Sequence, residues 1–121
     1  MIKLTFALVR RSGFTRESFQ AYWCDHHAPL VASVRDVLRI RRYVQLHSLP
    51  AEDSATLRRA RGGPEGFDGV AQLWWDSLED MQGAGTDPAA AEAGRLLLED
   101  ERKFIDLARS PLWWGEEKVV F

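Results

Sequence analysis

At 121 residues, with 16 basic and 18 acidic side chains interspersed and a formal net charge of -2, the chain suits one domain spanning 1–121 and offers no basic footprint for nucleic acid. Its single cysteine, Cys24, cannot form an internal disulfide, and its first apolar run, IKLTFALV, is far shorter than the roughly 20 residues that span a bilayer. The expectation is a cytoplasmic protein with no signal peptide and no membrane partner.

Residues 2 to 9 set Ile2, Leu4, Phe6 and Leu8 against Lys3, Thr5, Ala7 and Val9, the two-residue period of a strand. Ser12-Gly13 supplies a turn. Thr15 is placed to cap a helix, with Glu17 in its first turn and Ser18 where a capping box more often has Glu or Gln. Large apolar positions at 19, 22, 23 and 30 form a helical stripe. Pro29 disfavours helical geometry at Ala28, which predicts a break or kink before a second helical segment over 30–38.

Residues 40 to 47 alternate again, with Ile40, Val44 and Leu46 on one face and Arg41, Tyr43, Gln45 and His47 on the other. Pro50, Gly62, Gly63, Pro64 and Gly66 mark 48–66 as a long, mobile surface loop with room for a helical turn around 55–60. A third strand, FDGVAQLWW, sets Phe67, Ala71, Leu73 and Trp75 against Asp68, Val70, Gln72 and Trp74. Ser77 can cap a short helix through Met81, and Asp87-Pro88 a longer one from Ala89. The polar residues around Phe104 and Ile105 predict a bend or restart of that helix near residue 100. EEKVVF, 116–121, reads as the last strand, with Trp113 and Trp114 just before it.

Strand, helix, strand, strand, helix, strand is the split βαβ order of α+β ferredoxin-like folds: an antiparallel four-stranded sheet with helices on one face. The other face would then carry Thr5, Tyr43, Gln45, His47, Asp68, Gln72 and Trp74. That set is too aromatic to stay wet and too polar for an ordinary core. Two such sheets packed about a twofold axis would cover it, predicting a homodimer, a dimeric α/β barrel with a lined cavity.

The spacing of Phe19, Tyr22, Trp23, His27, Ala28, Pro29 and Leu30, F-x-x-YW-x-x-x-HAPL, resembles the EthD-like family of dimeric α+β barrel proteins. RYVQ-x-H at 42–47, FDG-x-A-x-LW at 67–74, the acids Asp100 and Glu101 before FID at 104–106, and the terminal E-x-VV-F look like that family in the same order. The resemblance implies a ferredoxin-like subunit, a homodimer and a cavity in each barrel half. Related barrels include cofactor-independent isomerases of muconolactones, and decarboxylases, dehydratases and cyclases of aromatic polyketides, so the family implies the fold more closely than the reaction. In related enzymes the histidine of the HAPL-type motif lies near the cavity, and here that histidine is His27. Asp68 and Tyr43 match positions often polar in the family.

His27 is the candidate general acid/base, because an imidazole titrating near 6.5 exchanges protons at neutral pH. The competing reading is a structural histidine satisfying carbonyls at a helix end. At about 100° per residue His26 falls nearer the centre of the apolar stripe than His27, although a kink before Pro29 would change that phase. Cys24, three residues before His27, could pair with it as a thiolate, but burial is the commoner fate of a lone cysteine. Adjacent histidines on a helix diverge, so Asp25, His26 and His27 do not form a metal site. Tyr43, His47, Asp68 and Gln72 could orient a substrate oxygen, with Trp74 as a stacking wall, or could pair across a dimer interface. No phosphate loop, nucleophile elbow or dinucleotide fingerprint is present, so no cofactor is expected. The first expectation is thus a cofactor-independent enzyme acting on a hydrophobic oxygenated small molecule. A non-catalytic binding or accessory protein of a degradation or biosynthesis pathway is the second, and a haem-binding barrel monooxygenase the third.

Overall fold

The computed structural model describes residues 1–84 and 86–121. Strand β1 (Ile2–Leu8) leads through a turn at Ser12-Gly13 into helix α1 (Arg16–Tyr22). Thr15 caps α1 by accepting from the Ser18 backbone N–H, and the Ser18 hydroxyl accepts from the Thr15 N–H, so serine completes the capping box. Next come a π turn (Trp23–His27) and α2 (Ala28–Ser33). β2 (Arg42–His47), α3 (Ala55–Ala60) and β3 (Gly69–Trp75) follow, then α4 (Leu78–Ala84), α5 (Pro88–Phe104) and β4 (Leu112–Glu116). All pairings are antiparallel, in the order β2-β3-β1-β4, and the helices cover one face of the sheet. This is the ferredoxin-like arrangement predicted from the element order.

Register decides which side chains meet the helices. Leu4 stands beside Leu73 and Leu73 beside Tyr43, while Phe6 stands beside Ala71 and Ala71 beside Gln45. Tyr43, Gln45 and His47 therefore lie under the helices, and Arg42, Val44 and Leu46 lie on the open face with Thr5, Gln72 and Trp74. The expected grouping of Tyr43, Gln45 and His47 with Gln72 and Trp74 is corrected. Each strand's alternation was right, but β2 is phased one residue from the assumed face. A one-residue choice exchanges every side chain of the strand.

Three further expectations change. Ala28 keeps helical angles (φ -58, ψ -42) despite Pro29, because the preceding turn widens to a π turn in which the Ala28 N–H reaches the Trp23 carbonyl. Helix α5 runs unbroken to Phe104, since Asp100 turns inward to partners rather than ending the helix in solvent. The fourth strand is LWWGE: Thr5 pairs with Trp113 and Leu4 with Trp114, while 117–121 lies outside any strand. Backbone pairing to β1 outweighed the β-branched character of the terminal VVF.

The core between sheet and helices joins Leu8, Phe19, Trp23, Ala71, Phe104 and Ile105, with a second cluster around Val31, Ile40 and Trp75. Gly69 opens the seat for Trp23, because a Cβ there would lie 2.5 Å from the indole and 2.9 Å from the Leu46 carbonyl oxygen.

Candidate functional site

Phe19, Trp23, His27 and Val31 recur every four residues and all are buried. In a plain α-helix that spacing drifts about 40° per step, since each residue advances about 100°. A π turn advances each residue by less, and so keeps all four on the core side. This is why His27, 5% exposed, holds the inward position that uninterrupted periodicity assigns to His26. His26 is exposed and stacks on Tyr22 at 4.9 Å. Cys24 is also exposed, so it shares no buried face with His27.

His27 Nδ1 lies 2.8 Å from Asp100 Oδ2, and the Tyr22 hydroxyl donates to Asp100 Oδ1 at 2.6 Å. A carboxylate only accepts, so Nδ1 carries the imidazole proton and Nε2 keeps a free lone pair. Burial lowers the His27 pKa below 6.5 although Asp100 pulls it upward. Burial alone would raise the Asp100 carboxyl, but hydrogen bonds from Tyr22 and His27 leave it below the ordinary value. The Tyr22 hydroxyl is pushed up to about 12, chiefly by its hydrogen bond to Asp100. At neutral pH the group is an uncharged imidazole backed by a carboxylate, the form of a base.

His27 opens on a cavity of about 160 Å³ between helices and sheet. Its walls are mostly apolar, among them Leu4, Phe6, Val31, Leu73 and Leu97, and Tyr43 and Glu101 also line it. Tyr43 is buried enough to raise its hydroxyl to about 12. The Gln45 amide donates to the Tyr43 oxygen at 2.9 Å and to the Trp23 carbonyl at 3.0 Å, which leaves the Tyr43 proton free to point elsewhere. His47 does not line this cavity. It stacks on Trp23 at 4.7 Å and meets Gln45 Oε1 through Nε2 at 2.8 Å, orienting the amide that orients Tyr43.

Asp68, Gln72 and Trp74 do not line this cavity either, although Asp68 and His47 share a separate, more open groove beside residues 48–67. Asp68 Oδ1 pairs with Arg10 Nη1 at 2.5 Å, and its Oδ2 accepts from the Arg10 backbone N–H. Gln72 lies on the open face. Trp74, expected as a stacking wall, is 5% exposed on that face, held between Lys3 and Arg42, each 4.8 Å from its ring, and donating its indole N–H to Glu117. Among the described residues, no three His, Cys, Asp or Glu side chains are arranged to hold a metal ion, and no helix is long and apolar enough to cross a membrane.

Periodicity missed Tyr22, Asp100 and Gln45 as site residues. A usable signal existed for Asp100: it falls in phase with Ala93, Leu97 and Phe104 on an apolar helix face, where an unpaired carboxylate would be expensive. For the π turn the signal was the four-residue spacing itself.

Fold and site together define a ferredoxin-like α+β domain with a buried histidine–aspartate pair over an apolar cavity. The chain belongs to the EthD family, since the EthD domain model matches residues 11–108. A conidial pigment biosynthesis dehydratase EthD of Metarhizium robertsii is 27% identical over 120 residues, covering 95% of this chain and 81% of that protein. A solved ethyl tert-butyl ether D (EthD) family protein of Bacillus halodurans aligns with TM-score 0.61 at 20% identity, over 98% of this chain and 100% of its own. A dimeric protein of ferredoxin-like fold from Bacteroides fragilis aligns with TM-score 0.58 at 12% identity, over 96% of this chain and 95% of its own.

Proposed function

We propose that this protein is a cofactor-independent enzyme of the dehydratase type that moves protons on a hydrophobic oxygenated small molecule held between helices and sheet. The observation that carries this reading is the His27–Asp100 contact of 2.8 Å beside an apolar cavity. His27 Nε2 takes a proton from the carbon next to a substrate carbonyl, and the Tyr43 hydroxyl donates to the oxygen on which charge develops. The new double bond expels a hydroxyl group as water. The dehydratase among the relatives supports this direction over isomerisation.

The test uses cyclohexanone in deuterium oxide, where a placed base exchanges the protons beside the carbonyl, and β-hydroxycyclohexanone, whose loss of water appears as enone absorbance. Wild-type protein should accelerate both. His27→Ala should lower both by about 10² to 10⁴-fold, the usual contribution of a placed general base. Equal rates for wild type and His27→Ala would overturn the reading, and saturable binding without turnover would favour an accessory binding protein.

The same proposal includes a homodimer through the open sheet face, supported by exposed Leu46 and Trp113 and by the neighbour described as dimeric. Leu46→Glu should shift the protein toward monomer in light scattering coupled to size exclusion. A wild-type monomer at high concentration would refute this part.

A further inference from the structure

Helix α5 presents consecutive acids, Asp100 and Glu101, and they meet different surroundings. Asp100 is satisfied by Tyr22 and His27, with Lys103 Nζ 3.8 Å away. Glu101 follows Leu97 by one helical turn, and both side chains line the cavity. None of the described residues hydrogen-bonds the Glu101 carboxyl. The ionisable groups facing it are His27 from the π turn and Tyr43 from β2, with Asp100 on its own helix.

We propose that Glu101 is the second proton-transfer group of this site, the acid that protonates the departing hydroxyl of a one-ring cyclic β-hydroxy ketone while His27 removes the carbon-bound proton. The proposal rests on the reading of His27 as base and adds a separate acid and a substrate size. A carboxyl placed against apolar walls without a donor favours its neutral form. Burial, with the Asp100 charge adding to it, raises Glu101 to about 7, so a proton is available near neutrality. His27 is displaced the other way, and opposite displacement of two groups sharing a cavity assigns acid and base. The volume of about 160 Å³ is close to that of a dry cavity able to hold benzene, which sets the size at one ring.

The step balances. His27 Nε2 takes the proton between the carbonyl and the hydroxyl-bearing carbon, and the C–H pair becomes the C=C bond. The C–O bond breaks, and its oxygen leaves as water with the Glu101 proton. The imidazolium so formed faces Asp100, and exchange with solvent returns the proton from His27 to Glu101.

Glu101→Gln keeps shape and removes the titrating proton. With the two probes above it should lower water loss by about 10²-fold and lower exchange at least tenfold less. In wild type, water loss should fall as pH rises through about 7, where Glu101 empties, and the variant should lack that limb. A melting curve checks that the variant folds, and Glu101→Asp should recover part of the water loss. Equal effects on both probes, or an intact basic limb in Glu101→Gln, would overturn the role of Glu101 while leaving His27 standing. Absence of exchange by wild type would overturn the His27 reading and this one with it.

Discussion

His27 and His47 approach Trp23's neighbourhood from opposite elements, one from the π turn and one from β2, and burial lowers the pKa of both. Their partners separate them. His27 donates its Nδ1–H to a carboxylate and lines the cavity, whereas His47 donates its Nε2–H to an amide oxygen and lies flat on the indole. Both acceptors fix a tautomer and an orientation, but only the carboxylate carries the charge that stabilises the imidazolium once a proton arrives. The reading of His27 as a base thus rests on what stands behind the ring, and His47, half-buried and without a carboxylate, serves as a strut.

The sharpest way to break this contrast is to remove the carboxylate and keep the shape. Asp100→Asn should lower exchange and water loss by nearly as much as His27→Ala, about 10² to 10⁴-fold, because the amide no longer enforces the Nδ1–H tautomer. Melting temperature should also fall, since a buried polar network losing one partner costs about 1–3 kcal/mol. Tyr43→Phe should follow, with turnover lower by about 10² to 10³-fold, the loss typical of one donor to a developing oxyanion. His47→Ala should lower turnover less than about tenfold while removing the stacking contact, worth about 0.5–1.5 kcal/mol in thermal or urea unfolding. A His47→Ala loss as large as that of Asp100→Asn would erase the distinction between the two histidines.

The smallest expected effect is on stability against pH. A carboxyl raised in the folded state binds more protons folded than unfolded, so stability falls as pH rises from about 4.5 through about 7. His27, lowered on folding, acts oppositely and loses stability as pH falls through 6.5. Glu101→Gln should therefore melt several degrees above wild type on the alkaline side of 7 and alike below 4.5. Equal melting at both ends would place Glu101 in water.

The local signals were plain in the sequence. Thr15, Asp87-Pro88 and the alternation of β1 act through neighbouring atoms, and each formed the element expected of it. What could not be read locally was phase. Alternation in β2 sorts Tyr43 from Val44 but does not say which faces the helices, because that depends on pairing with β3. The true fourth strand was hidden for the same reason: Trp113 and Trp114 pair with β1, while VVF, the better strand former by composition, stands exposed. His27 was legible from its motif, but Asp100 was not, since a carboxylate declares itself only when the partner that neutralises it is known.

The π turn can be described as a change of reading frame within one helix. Upstream, Phe19 and Trp23 face the core in one frame; downstream, His27 and Val31 face it in a frame displaced by one residue. Deleting exposed Cys24 would remove no buried side chain and would merge the frames, leaving His27 at the inward position that an uninterrupted helix gives to the twenty-sixth residue. The π turn thus absorbs one extra residue in the helix while Trp23 and His27 both keep their inward places.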